Sequence, residues 1–310
     1  MKDFVEIQDV TGEQLRALLD RALVEKARFR EGRLAATLAR KTLAMVFEKP
    51  SLRTRVSFET AMTHLGGHAI HLGQGDIGLG QRETIEDIAR VLGRFCDGIM
   101  ARTFRHEMVR DLARYAPVPV INALTDYSHP CQAMADLMTA LEHFGDLDGR
   151  TLAFVGDGNN VARSLAMACA KLGLDFVLAS PEAHRLDDAF VRSLPEAASY
   201  RWTDDPAGAV ARADVVYTDT WVSMGQEDEK EARRRTFAEY QVNAALMSAA
   251  PDHAVVMHCL PAYRGYEITD DVFEAHAETI LEEAENRLHF QRCLLNVLLG
   301  EGGIPPAGGA

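Results

Sequence analysis

Two arginines, two hydroxyls and a proline stand together in PSLRTR, just after the apolar run TLAMVF. Pro50 and Ser51 stop a strand there, and a helix can begin near Arg53. A helix N-terminus presents N–H groups and a partial positive charge, which suits a phosphate. Ser51 and Thr54 add hydroxyls. Arg53 and Arg55 lie two residues apart and cannot share a helix face, so one is expected to meet the ligand and the other to form an ion pair. Arg53, nearer the helix end, is the expected ligand group. On charge spacing alone, an ordinary capped helix with solvated arginines is the alternative.

Further polar groups follow other apolar runs. GIMA ends in Arg102, with Arg105 and His106 just beyond. VPVIN leads to His129, Pro130 and Gln132, where a helix opens with proline at an early position. A histidine and a glutamine there can polarise a carbonyl and hold an amide, although a lone histidine is more often structural. In VGDGNNVARSLAM, Val161 stands where a dinucleotide fingerprint has its third glycine, which weakens a nicotinamide reading. Asn159 and Asn160 suit either an amino-acid head group or a turn and cap. DVVYT runs into Asp219 and then TWVSMGQEDEKEARRR, whose small, polar start and dense charge suit an exposed, closing loop or a solvated helix surface. AVVMH leads to Cys259 and Pro261 in HCLPAYRG, where a buried inert thiol is the plain alternative.

The elements that position these groups form a βαβα rhythm. Strand-like runs begin at Thr42, His68, Gly98 and Val118, and again at Thr151, Asp175, Asp214 and Ala254, with helix-length segments between them. That rhythm predicts two open, doubly wound parallel-sheet α/β domains. The polar break FGDLDGR divides them into 1–143 and 144–310, and a helix over about 281–299 is expected to pack back on the first. Thr11 and Gln14 form a capping box ahead of an amphipathic first helix. In such sheets ligands sit beyond the carboxyl ends of the strands, where the polar groups fall.

A net charge of −13 over 310 residues argues against an extended nucleic-acid or membrane-surface footprint, so an anionic ligand must meet a local cluster of arginines. The five cysteines are odd in number and widely spaced without CxxC, so neither a disulfide framework nor a zinc site is expected. No stretch approaches the roughly 18 apolar residues of a membrane span, and the acidic N-terminus lacks an apolar signal core, so a cytoplasmic protein is expected.

Taken together these segments resemble the aspartate/ornithine carbamoyltransferase family along essentially the whole chain. SLRTR is similar to its S-x-R-T-R signature and HPCQ to its H-P-x-Q signature, while VGDGNN, DTWVSMG and HCLP resemble the ornithine branch. The resemblance implies carbamoyl transfer from carbamoyl phosphate to the side-chain amine of L-ornithine, in arginine metabolism and more in the biosynthetic than the catabolic direction. It implies no metal or organic cofactor, and a homotrimer or a multiple of trimers. It further implies that Ser51, Leu52, Arg53, Thr54, Arg102, His129, Gln132 and Arg287 bind carbamoyl phosphate. Asn160, Asp219, Ser223 and Met224 would hold ornithine, with Cys259 and the backbone of Leu260 beside its reacting amine; Arg102 and His129 would also serve catalysis. One departure is Gly78, where the family carries a Gln or His that reaches a neighbouring subunit; Gln74 and Gln81 are the candidate replacements. Competing readings are a transferase for N-acetylornithine or putrescine, a nicotinamide oxidoreductase built on VGDGNN, and a silent binding protein.

Overall fold

The computed structural model describes residues 1–78, 82–222, 227–300 and 303. Ser223, Met224 and Gln81 lie outside them. The contacts divide the chain into two compact units, Met1–Met138 with Asn286–Ala310, and Thr139–Glu285. The division runs inside two helices rather than through the polar break at 144–150, because a continuous helix leads up to that break.

The first unit opens with α1 (Gly12–Arg30), followed by β1 (Thr42–Phe47), α2 (Leu52–His64), β2 (His68–Gly73), α3 (Gln74–Ile77), α4 (Ile85–Phe95), β3 (Gly98–Arg102), α5 (His106–Tyr115), β4 (Val120–Leu124) and the start of α6 (Pro130–Phe144). The Thr11 capping box is present, with both reciprocal bonds made. The four strands are parallel in the order β2-β1-β3-β4. β1 lies buried inside the sheet, as its unbroken apolar run requires.

The second unit holds β5 (Thr151–Val155), α7 (Asn160–Leu172), β6 (Asp175–Ala179), α8 (Asp188–Ser193), β7 (Tyr200–Thr203), α9 (Pro206–Val210), β8 (Val215–Thr218), α10 (Lys230–Thr236), α11 (Ala244–Met247), β9 (Val255–His258) and α12 (Asp270–Ala275). Its five parallel strands run β7-β6-β5-β8-β9. β7 is absent from the sequence reading because YRWT has no apolar run; as an edge strand it is half-buried. The last helix, α13 (Ala277–Leu299), begins in the second unit and from Asn286 belongs to the first. No helix among the described residues is long and apolar enough to cross a membrane.

Each sheet reverses its strand order once, between β1 and β3 and between β5 and β8. At such a point connections leave opposite faces of the sheet, and it is beyond the strand ends there that open α/β sheets bind ligands. At the other end of each switch pair, the same device recurs. Asp97, just before β3, accepts from the Thr42 N–H at 2.8 Å and from Lys41 Nζ at 2.9 Å. Asp214, just before β8, accepts from the Thr151 N–H at 2.9 Å and from Arg150 Nη1 at 2.8 Å. Burial raises both carboxyl pKa values, but these hydrogen bonds and ion pairs outweigh it and hold both below the ordinary range. Each group therefore stabilises the fold above the unfolded carboxylate pKa, near 4, and loses that contribution as pH falls through its lower folded value. Asp97→Asn and Asp214→Asn are each expected to cost about 1–2 kcal/mol at pH 7. Urea unfolding should show the penalty shrinking toward pH 3; a pH-independent penalty would contradict this account.

Candidate active site

In the first unit the polar groups gather at the switch between β1 and β3. Ser51 caps α2, its Oγ accepting from the Thr54 N–H at 3.4 Å and donating to Thr54 Oγ1 at 3.1 Å. Thr54 Oγ1 also accepts from Arg102 Nη1 at 3.4 Å and Arg287 Nη2 at 3.3 Å. Arg102, leaving β3, and Arg287, arriving on α13, thus converge on one hydroxyl of the first helical turn, all three residues being buried. Leu52 is the first residue of that turn; its side chain is 76% exposed, so what it offers a ligand is its backbone N–H. Arg55 turns away and pairs with Glu59 at 2.9 Å, the structural ion pair expected of one of the two arginines.

His129 is buried just ahead of α6. Burial first, then the charges of Arg287, Arg102, Lys49 and Arg53, hold its imidazole well below the ordinary range. It is therefore neutral at physiological pH and can donate one hydrogen bond without carrying charge. Among these cations Lys49 carries no sequence signal of its own beyond its place in FEKPSLRTR. Lys49 is buried with Nζ 4.6 Å from the Phe104 ring centroid. Burial, then Arg102, lowers its ammonium to about 8. Four cationic side chains thus act on His129 beside a helix N-terminus, an arrangement that favours a phosphate or another oxyanion. Gln132 is buried and accepts from Arg287 Nη1 at 2.5 Å, while its own Nε2 donates to Asp136 Oδ1 at 2.6 Å. Gln291, with its amide turned to satisfy both ends, accepts from Arg287 Nε at 3.1 Å.

In the basic run after β3, His106 is structural. His106 is buried between Thr125 Oγ1 at 2.9 Å and Glu6 Oε1 at 2.8 Å, and Glu6 also pairs with Arg110. Gly78 takes a left-handed conformation, φ 53°, as the cap that ends α3, a backbone role in which glycine is favoured. Gln74 begins that helix.

In the second unit the centre is Asp219, buried beyond β8. Its Oδ2 accepts from Asn159 Nδ2 at 2.7 Å and its Oδ1 from Cys259 Sγ at 3.0 Å. Asn159 is the N-cap of α7, and Asn160 is the first residue of the helix, its carbonyl accepting from Ser164 Oγ at 2.8 Å. The glycines of VGDGNN serve the loop: Gly156 has φ 141°, and a Cβ on Gly158 would stand 2.6 Å from the His184 carbonyl. Val161, in the third-glycine position, is buried in the protein interior. The charged segment after Gln226 is not wholly solvated, because Arg233 is buried and bonds Asp157 and the Trp221 carbonyl.

Cys259 is half-buried, next to fully buried His258. Asp219, His258 and Cys259 bring potential ligand atoms within 4.8 Å of one another. His258, however, uses both nitrogens: Nδ1 accepts from the Leu260 N–H at 2.9 Å, which leaves Nε2 as the donor to Glu267 Oε1 at 3.2 Å. Its imidazole is thereby committed to holding the backbone. Leu260 needs that hold, since its φ of 57° is left-handed and rare for a γ-branched residue.

Residues 2–142 match the model described as the aspartate/ornithine carbamoyltransferase carbamoyl-P binding domain, and residues 148–298 match the Asp/Orn binding domain of the same family. An ornithine carbamoyltransferase of Pyrococcus abyssi is 50% identical over 304 residues, 96% of each chain. One named anabolic, from Pyrococcus furiosus, is 49% identical over the same 304-residue length, again 96% of each. The solved structure of the ornithine carbamoyltransferase from Pyrococcus furiosus is similar with a TM-score of 0.93 at 48% identity, covering 98% of both chains.

The position of Lys49 has a pH consequence. Its ammonium is lost as pH rises through about 8, so an oxyanion whose own charge is constant should bind less well above that value. Sulfate affinity, titrated from pH 6.5 to 9.5, is expected to fall several-fold across about pH 8. Lys49→Met should bind weakly and without that step; a wild-type affinity flat with pH would contradict the assignment.

Proposed function

From the premise that the chain belongs to the aspartate/ornithine carbamoyltransferase family, we propose that it transfers the carbamoyl group of carbamoyl phosphate to the side-chain amine of L-ornithine, giving citrulline and phosphate. The observation that carries the reading is the cationic start of α2, where Ser51 caps the helix and Arg102 and Arg287 share the Thr54 hydroxyl. The ornithine branch is supported by relatives of that name over 96% of their length. The anabolic name of one supports a biosynthetic role in arginine metabolism. A cytoplasmic homotrimer, or a multiple of trimers, completes the reading.

The reaction is attack of a neutral amine on a carbonyl carbon, with phosphate leaving from a tetrahedral intermediate. In this assignment Arg53, Arg102 and the N–H groups of Leu52 and its neighbours neutralise the departing phosphate, with Ser51 and Thr54 hydroxyls beside them. Thr54, Arg102 and neutral His129 donate to the developing oxyanion, and a neutral imidazole does so without losing its proton. Gln132 and Arg287 hold the carbamoyl end. Asn160, Asp219, Ser223 and Met224 take the amino-acid end of ornithine, while Cys259 and the Leu260 backbone flank its reacting amine.

Among other amines, putrescine has no amino-acid head for Asp219 to hold, and N-acetylornithine has no free α-ammonium. Citrulline assays with ornithine, N-acetylornithine, putrescine and aspartate in parallel test the choice; turnover with ornithine alone is the expected result. Arg53→Ala should lower kcat/KM by at least ~100-fold with an unchanged melting curve, since one lost donor to developing charge costs about 2.7–4 kcal/mol. Near-normal activity would remove Arg53 from the site. At saturating carbamoyl phosphate, kcat/KM for ornithine should rise from neutral toward alkaline pH, because an amine of pKa near ~10 must be unprotonated to react. A profile flat from pH 6.5 to 9 would contradict that chemistry.

A further inference from the structure

Asp136 has no part in the assignments above, yet it is a carboxylate left 1% exposed in the first unit. It lies on α6 one turn beyond Gln132, a spacing that puts both side chains on one helix face. Its Oδ1 accepts from Gln132 Nε2 at 2.6 Å, while Arg287 Nη1 donates to Gln132 Oε1 at 2.5 Å. The two ends of a glutamine amide have nearly the same shape, so only their partners decide which faces where. Here a carboxylate stands at the nitrogen and a guanidinium at the oxygen. Turning the amide over would set its N–H groups against Arg287 and its carbonyl against Asp136, replacing two charge-assisted bonds by two repulsions.

We propose that Asp136 is a positioning residue that sets donor specificity by locking the Gln132 carbonyl on the side of Arg287. That guanidinium also reaches Thr54 Oγ1 at 3.3 Å, so the carbonyl is held beside the cationic start of α2. A carbonyl oxygen accepts along two lone pairs, and an acyl phosphate bearing NH2 can donate to it. Acetyl phosphate carries a methyl group in the same place and cannot donate. A site built to bond an N–H group rejects the analogue that lacks it because a buried polar atom is then left without its partner. Asp136 thus acts on the donor through Gln132, and Gln291 steadies Arg287 from the other side. The inference rests on carbamoyl phosphate being the donor.

The test compares the KM for carbamoyl phosphate with the inhibition constants of acetyl phosphate and inorganic phosphate, in the full-length wild-type enzyme, Asp136→Asn and Asp136→Ala. The preference for carbamoyl over acetyl phosphate is expected to fall by about 30-fold in Asp136→Ala and about fivefold in Asp136→Asn, which keeps an acceptor but loses the charge. Inorganic phosphate should bind all three alike, a result that a general disturbance of the fold would not produce. A wild-type preference retained in both variants overturns the proposal. If Asp136→Ala does not fold, Asp136→Asn decides, and an unchanged preference there overturns it equally. A wild-type enzyme that makes no citrulline and binds the two acyl phosphates equally refutes the donor reading itself. Active wild type with unaltered preference in the variants refutes only the role of Asp136.

Discussion

Crowding of positive charge at the start of α2 is the constraint to which the rest of the first unit answers. Two like unit charges roughly 5 Å apart repel by about 3 kcal/mol at an effective dielectric near 20, and burial adds a desolvation cost. Burial first, and then this crowding, act on two neighbouring groups: the Lys49 ammonium falls to about 8, and His129 is kept neutral. Such a cluster persists only where the fold supplies oxygen acceptors in fixed places. Thr54 Oγ1 serves Arg102 and Arg287 together, and Gln132 and Gln291 carry the remaining load on Arg287. Negative charge placed there would relieve the repulsion, so the crowding itself favours an anion.

The second unit solves the opposite problem. Its centre is a single buried carboxylate, Asp219, surrounded by neutral donors: the Asn159 amide, the Cys259 thiol and the Thr220 N–H. These bonds fix the directions of the carboxylate oxygens. The strained backbone at Leu260 lies one residue from Cys259 and is held by His258, whose other nitrogen is fixed by Glu267. Strain of this kind persists where surrounding contacts over-determine it.

Both units place these groups by one architecture. In each, an aspartate at the amino end of the switch pair ties a neighbouring strand to the central one, and the divergent loops at the carboxyl end carry the polar residues. Rigidity at one end of the sheet and chemistry at the other follow from the same strand order.

Sequence by itself determined the eight apolar strands, the start of α2 just after Pro50 and the ion pair made by one of its two arginines, because these depend on period, punctuation and spacing within a few residues. β7 escaped because an edge strand needs no apolar run. What tertiary structure alone decided were meetings across long separations. Arg287 joins Thr54 across the length of the first unit, Asp136 faces Gln132 with Arg287 opposite, and Lys49 acquires its low pKa from burial beside Arg102. His106, which reads like Arg102 as a basic residue after β3, goes instead to Glu6 at the amino terminus of the chain. Residue type states what a side chain can do, whereas charge, desolvation and hydrogen bonding depend on neighbours that only the folded chain brings within a few ångströms.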